Sequence, residues 1–209
     1  MKRYNIEVSG KRSSVDLPAS WAELTLGQMM QIEKMKEPDP VQLFSILSGV
    51  DVSEASGDME DDLFQATAFV FSPPDWDKIE RPEYIILDGV PYKVPQIENE
   101  TIGQAVMVST LVGTIEDLSD AIIPILAIYF QPLVDKTKFD RMRLPAIEKM
   151  IKRTAAVEGF ATASFFLRAS RTLRRIIKTE SPLLRSEKMQ RLLEPVTKSS
   201  DALSGLTTS

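Results

Sequence analysis

The chain has 209 residues, of which 43% are hydrophobic and 26% are charged, and it contains neither cysteine nor histidine. This composition is typical of a globular protein with one sizeable core or two small ones. The missing cysteine excludes disulfides and thiolate nucleophiles, and the missing histidine removes the commonest general base and metal ligand. Catalysis would therefore depend on carboxylate, lysine, tyrosine or serine side chains.

The net charge of −5 is unevenly distributed along the chain. Residues 1–135 carry 9 basic and 23 acidic side chains, whereas residues 136–209 carry 16 basic and 7 acidic ones. This asymmetry predicts an electrostatic partner for the basic C-terminal part. That partner is another protein, the acidic part of a neighbouring copy, or nucleic acid.

The N-terminal residues have the pattern of a β-hairpin that leads into helices. Alternating apolar and polar side chains predict antiparallel strands at residues 3–8 and 13–17. Thr25 then predicts the N-cap of a first helix. A second helix follows at residues 41–47, and Gly49 ends it.

An acidic stretch and two prolines separate this unit from the next one. Residues 51–62 are small and acidic, and residues 61–71 predict a helix. Pro73 and Pro74 end that helix, because a proline cannot donate to the helical hydrogen-bond ladder. Trp76 is predicted to pack back as an anchor.

The chain from Tyr84 onward repeats the order of the first unit. Asp88-Gly89 predicts a tight hairpin turn, since a type I′ turn needs positive φ at both central positions. Thr101-Ile102-Gly103-Gln104 then takes the place that Thr25-Leu26-Gly27-Gln28 has in the first unit, and an apolar helix is predicted at residues 122–133. Two such copies can bury apolar faces that one copy cannot bury alone.

The glycines of these two matching motifs each lie near a predicted helix start, where a glycine can approach a phosphate. Neither Gly27 nor Gly103 has the surrounding glycines of a P-loop or a dinucleotide fingerprint. We expect both to permit close packing of helix on hairpin.

The C-terminal part is helical and basic. Three amphipathic helices are predicted at residues 146–156, 158–178 and 182–193, with breaks near Gly159 and at Ser181-Pro182. The predicted fold is therefore α+β and predominantly α-helical. Its predicted parts are hairpin-plus-helices repeats at residues 1–75 and 76–135, a basic helical C-terminal extension at residues 136–196, and a flexible tail at residues 197–209.

Two sets of side chains are candidates for contacts with a partner. One set is apolar and serves either as packing or as a client surface, since methionine adapts to irregular shapes: Leu26, Met29, Met30, Phe44 and Ile46. The other set is basic and recurs at helical spacing: Arg168, Arg171, Arg174, Arg175 and Lys178. This basic set is a solvated face, a contact with an acidic protein surface, or a contact with nucleic acid.

No catalytic residue, cofactor or metal site is predicted. The acidic cluster in residues 58–62 is the first place to consider for a divalent cation, but it lacks the spacing of an EF-hand loop. Acidic residues in the first turn of a helix also suit the helix dipole. We therefore expect a solvated helix start there.

Three short motifs give the chain a resemblance to a known group of proteins. They are Trp21-Ala22-Glu23-Leu24-Thr25-Leu26-Gly27-Gln28, then Leu43-Phe44-Ser45-Ile46-Leu47-Ser48-Gly49-Val50, and an acidic stretch that ends in Asp61-Asp62-Leu63. In these motifs the chain resembles morphogenesis proteins of tailed bacteriophages, most of all the tail assembly chaperones. The resemblance covers residues 20–70, with a fainter echo at residues 100–133.

The resemblance implies a protein that binds other proteins and has no catalytic activity. A chaperone of this group would coat an aggregation-prone tail protein, such as the tape-measure protein, in the host cytoplasm. The alternative is a resident virion component that packs against neighbouring subunits in the neck, ring, tail or capsid, also as a homo-oligomer. A second alternative is a nucleic-acid-binding protein that uses the basic C-terminal helices, and no membrane partner is expected.

Overall fold

The computed structural model describes residues 1–8, 11–37, 39–51, 60–115 and 117–180. Side chains are described throughout these ranges except at 6–8, 11–13, 60–62, 77, 118 and 171–180. The acidic cluster, the helix predicted at residues 182–193 and the tail lie wholly or partly outside this description.

Two separate antiparallel hairpins form the β-structure of the described chain. Strand β1, Lys2–Val8, pairs with β2, Lys11–Leu17, and strand β3, Tyr84–Leu87, pairs with β4, Val90–Lys93. The turn between β3 and β4 has φ values of 49° at Asp88 and 80° at Gly89. Positive φ at both positions confirms the Asp-Gly turn.

The remaining structure is mostly helical, as predicted. The seven α-helices of the described residues are α1 Leu26–Glu33, α2 Pro40–Ser48, α3 Glu60–Thr67, α4 Ile102–Thr114, α5 Ile122–Asp135, α6 Leu144–Ile151 and α7 Ala156–Glu180. Among the described residues, no helix combines the length and the hydropathy that a bilayer span requires.

The same capping box opens a helix in each repeat. A three-residue 3-10 turn, one further residue and a threonine N-cap precede α1 and α4 alike. Gln28 Oε1 accepts from the Thr25 N–H at 2.9 Å, and Gln104 Oε1 accepts from the Thr101 N–H at 3.0 Å. The threonine hydroxyl accepts in turn from the glutamine N–H, so two otherwise unpaired donors are satisfied at each helix start.

The amide group of each glutamine also ties its helix to the next long helix of the repeat. Gln28 Nε2 donates to the carbonyl of Leu47 at 2.9 Å, near the end of α2, where carbonyls have no helical partner. Gln104 Nε2 donates to the carbonyl of Ile128 at 3.0 Å, in the middle of α5. That carbonyl lacks its helical donor because the residue four positions later is Pro132, which has no N–H.

One hydrophobic core joins both repeats to the C-terminal helices. Its centre is α5, in which residues 125–131 are all buried, and which packs on α4, α6 and α7. The C-terminal part contributes Ile147, Ile151 and Phe166, each at most 1% exposed. Since burial of one such side chain contributes roughly 1.5–3 kcal/mol, α6 and the first half of α7 are integral to the fold.

Trp76 anchors the connection between the repeats, as predicted. Its ring meets Trp21 edge-on at 5.5 Å and lies 4.5 Å from the ring of Phe160 in α7. The Trp21 indole N–H donates to the carbonyl of Phe69 at 3.0 Å. These contacts hold the 3-10 turn before α1 against the end of the first repeat.

Two glycine predictions need correction. The break predicted near Gly159 lies instead between α6 and α7, and Gly159 is inside α7. A Cβ at Gly159 would lie 2.9 Å from Leu26 Cδ2. The helix therefore needs glycine for close approach to α1. A Cβ on Gly27 would lie 3.0 Å from the Lys152 carbonyl oxygen, and one on Gly103 would lie 3.1 Å from Phe139. The close packing expected at both glycines is made by these residues and not by the hairpins.

We expect Gln104→Leu to lower the free energy of unfolding by about 2–3 kcal/mol, since it removes the glutamine half of the capping box and leaves the Ile128 carbonyl without a donor. Pro132→Ala supplies that donor. In the Pro132→Ala variant, Gln104→Leu should therefore lower the free energy of unfolding by about 1 kcal/mol less than in the unmodified chain. Urea denaturation of the double-mutant cycle measures both effects. The exposed Gln31→Leu is the matched control, and equal costs in the two backgrounds would refute the compensation.

Candidate functional site

The matching capping boxes pair each position of α1 with a position of α4. Leu26, Met29 and Met30 correspond to Ile102, Ala105 and Val106. Leu26 is 0% exposed and Met30 is 8% exposed, whereas Ile102 is 84% exposed and Val106 is 52% exposed. We call the exposed set Ile102, Ala105 and Val106 the α4 face.

The chain between α6 and α7 covers the start of α1. The N–H groups of Leu26 and Gly27 donate to the carbonyls of Thr154 and Lys152, each at 2.8 Å. The Ala156 N–H donates back to the Leu24 carbonyl at 2.8 Å, and Thr25 and Ala155 form an antiparallel bridge. Residues 152–160, which we call the covering segment, thus add a short strand to residues 24–27 and then turn into α7.

The covering segment is itself held by the second hairpin. The Thr154 hydroxyl donates to the Ile86 carbonyl at 2.9 Å, and Arg153 pairs with Asp88 at 2.6 Å. Its backbone is therefore fixed on two sides, between α1 and the strand β3.

No equivalent segment covers α4 within the described part of the chain. The N–H groups of Ile102 and Gly103, which correspond to the paired groups of Leu26 and Gly27, donate to no other described residue. In addition, none of the thirteen residues of α4 is charged. An exposed helix face without charge is typical of a protein-binding surface.

An open groove of about 800 Å³ runs beside the α4 face, and we call it the α4 groove. Its walls are the end of β4, residues 99–101, 103 and 104, and the turn after α5. Tyr129 lines it and donates its hydroxyl proton to Glu100 Oε1 at 2.8 Å, with Ser170 Oγ of α7 3.4 Å away. The groove thus places a polar wall beside the apolar α4 face.

A buried glutamine holds the turn that forms the far wall of the groove. Gln131 is 0% exposed, and its Oε1 accepts from the Asp140 N–H at 2.8 Å. Its Nε2 donates to Asp135 Oδ2 at 3.1 Å, and Arg143 binds the same carboxylate at 3.1 Å. Hydrogen bonds from Arg143 and then from Gln131 hold the pKa of Asp135 below its usual value. This network positions Phe139 against Gly103.

The apolar residues predicted as packing or client surface are mostly in the core. Leu26, Met29, Met30 and Phe44 are buried, so a role for them as a partner-binding surface is corrected: the covering segment, α7 and the adjoining helices already occupy their contacts. Ile46 alone is half-buried, and it lines a smaller groove of about 430 Å³ in the first repeat.

The basic residues predicted as a charged contact surface all lie in α7. Arg168 is exposed and lies two residues before Ser170, whose hydroxyl is 3.4 Å from that of Tyr129. The side chains of Arg171, Arg174, Arg175 and Lys178 lie outside the described atoms, so their role remains a prediction. Among the described residues, no group of three or more acidic side chains converges in a way that could hold a metal ion.

The sequence analysis did not predict the α4 face. Its signal was the combination of a complete capping box with a helix that carries no charge, but the same pattern also fits a buried helix. Comparison of the chain with models of protein families, with curated proteins and with solved structures finds no match. The role of the α4 face must therefore be inferred from its own chemistry.

Equivalent substitutions on α1 and α4 should have unequal effects. We expect Met30→Glu to lower the free energy of unfolding by at least about 3 kcal/mol, because it buries an unpaired charge. Val106→Glu should change it by less than about 1 kcal/mol, since the side chain already meets water. Thermal and urea denaturation measure both, and comparable losses would show that the α4 face is covered within the folded core.

Acid stability should depend on the pair formed by Asp135 and Arg143. Because the folded-state pKa of Asp135 is lowered, the pair stabilises the fold above the ordinary carboxyl pKa and loses this effect as the pH falls through the lowered value. We expect Arg143→Gln to raise the folded-state pKa of Asp135 toward its ordinary value, and therefore to make the part of the stability that is lost on acidification smaller. NMR titration of the carboxyl group checks this, and the exposed Arg141→Gln is the control that should leave the pKa unchanged.

Proposed function

We propose that this chain is a non-enzymatic assembly protein of a tailed bacteriophage, similar to the tail assembly chaperones, and that it binds a phage structural protein through the α4 face. The observation that carries the proposal is the contrast between the two repeats. The same helix start that is covered in the first repeat is open, apolar and uncharged in the second. The phage assignment is supported by the motifs of residues 20–70.

The covering segment shows what chemistry the α4 face can accept. A suitable partner segment is extended, offers carbonyls to the N–H groups of Ile102 and Gly103, and then continues as a helix that carries a small residue opposite Ile102. In the first repeat, the covering segment meets these requirements with the Thr154 carbonyl and with Gly159. Addition of backbone hydrogen bonds together with apolar contact is a common mode of peptide recognition.

This mode suits an assembly protein that holds a tail protein temporarily. An uncharged face gives little electrostatic selectivity, so affinity comes from burial of apolar area and a few backbone hydrogen bonds. Such contacts can protect an aggregation-prone segment of a tail or tape-measure protein and release it when a tighter neighbour arrives. Selectivity for the partner then lies in the polar wall of the α4 groove.

Co-purification with the products of the flanking genes tests this function. We expect a tail-module protein to bind the chain and to bind Ala105→Glu at least tenfold more weakly, because the substitution places a charge in the apolar contact. Ala146→Glu, at an exposed alanine in the first turn of α6, is the matched control and should bind normally.

Two results would count against the proposal. One is a gene setting outside any phage or prophage, which would remove the phage assignment. The other is a complex whose affinity is the same with Ala105→Glu and Ala146→Glu, which would remove the α4 face as the contact. Mass spectrometry of purified virions distinguishes a chaperone, which leaves the particle, from a resident component.

A further inference from the structure

Residues 198–206 resemble the covering segment and are identical to it at three of nine positions. The covering segment reads Lys-Arg-Thr-Ala-Ala-Val-Glu-Gly-Phe over residues 152–160, and residues 198–206 read Lys-Ser-Ser-Asp-Ala-Leu-Ser-Gly-Leu. Both have lysine first, a hydroxyl residue third, alanine fifth, a branched aliphatic residue sixth, glycine eighth and a large apolar residue ninth. We propose that residues 198–206, the tail segment, dock on residues 100–103 of the same chain and cover Ile102.

The shared positions are the ones that make contacts in the covering segment. The third residue, Thr154, gives its carbonyl to the Leu26 N–H, and the fifth, Ala156, is 0% exposed and donates to the Leu24 carbonyl. The eighth, Gly159, meets Leu26, and the ninth, Phe160, lies against Trp76. The match therefore falls on the residues that docking requires.

The positions that differ in residue class are not buried in the covering segment. The second, fourth and seventh residues of the covering segment are Arg153, Ala155 and Glu158, and none of them is buried. The tail segment has serine, aspartate and serine there. Lys198 and Asp201 cancel each other in charge, so the tail segment is neutral overall, in keeping with the uncharged α4 face.

The second repeat offers the matching half of the contact. The Ile102 N–H corresponds to the Leu26 N–H that binds the third residue, and the Ile102 side chain corresponds to the Leu26 side chain that meets the eighth. Phe139 lies on Gly103 in the place that Lys152 has on Gly27. Its ring must swing into the α4 groove for the first residue of the tail segment to bind, whereas the contacts at Ile102 are open.

The tail segment can reach this site within one chain. The Ser170 hydroxyl of α7 lies 3.4 Å from that of Tyr129, which lines the α4 groove, and α7 continues for ten residues to Glu180, which is about 15 Å. Residues 181–197 can span up to about 55 Å when extended. The connection is therefore several times longer than the return path along α7 requires.

This inference goes beyond the proposed function, because it concerns the chain alone and holds whether or not a phage protein binds. If both hold, the tail segment covers the α4 face until a partner displaces it. The partner would then compete with a local, tethered ligand, which raises the affinity that it needs.

Disulfide trapping in the full-length chain tests the docking, because the protein has no cysteine of its own. We expect Ile102→Cys with Gly205→Cys to form an intramolecular disulfide at least tenfold faster than Gly113→Cys with Gly205→Cys, whose helical position is at the other end of α4. The shorter side chain at 102 makes the room that a Cβ at 205 needs. Equal rates would overturn the proposal, and so would a disulfide found only between two chains, which would place the tail segment of a second copy at the site.

Hydrogen exchange gives a readout that needs no introduced cysteine. In the full-length chain the Ile102 amide should exchange at least tenfold more slowly than in the variant Leu203→Glu with Leu206→Glu. Thr207→Glu with Thr208→Glu adds the same charge just outside the tail segment and should exchange like the unmodified chain. If all three exchange at the same rate, the tail segment does not cover Ile102.

Discussion

The fold depends on one interaction that occurs in both repeats, the hydrogen bonds made by the side-chain amide of a capping glutamine. In each repeat a glutamine closes the cap of its helix and then donates to a carbonyl that has no donor in the next long helix. In the second repeat the missing donor results from Pro132, inside α5, in which residues 125–131 are all buried. An unpaired carbonyl there would cost about 1–3 kcal/mol, so Gln104 allows a proline in the core that would otherwise destabilise it.

Because both repeats share these glutamine hydrogen bonds, the difference in exposure between their helix starts is informative. Both helices start with the same cap and present an apolar residue directly after the threonine, but only α1 receives the chain that follows α6. The described chain therefore contains two equivalent helix starts and one covering segment. The helix start without a covering segment lies at residues 100–103, next to the α4 groove. Its exposure reflects the lack of an equivalent covering segment among the described residues.

The hydrogen bonds of Tyr129 and Gln131 also connect residues 100–103 to the rest of the core. Tyr129 contacts Glu100 on one side and Ser170 of α7 on the other, and Gln131 of the same helix holds the turn that carries Phe139. A segment that docks beside Ile102 and moves Phe139 therefore touches a wall whose other members are buried in α5 and α7. Binding at the α4 groove is in this way linked to the packing of the central helix.

Local interactions explain what the sequence by itself determined. The Asp88-Gly89 turn, the threonine caps, the helix end at Gly49 and the buried character of α5 depend on a few neighbouring residues, and all were predictable. Only the tertiary structure decided that Gly159 lies within a helix, that Leu26, Met29 and Met30 are core, and that Ile102 is surface. These outcomes depend on whether residues more than a hundred positions away in the chain arrive at a helix start, and a capping box is the same whether or not they do.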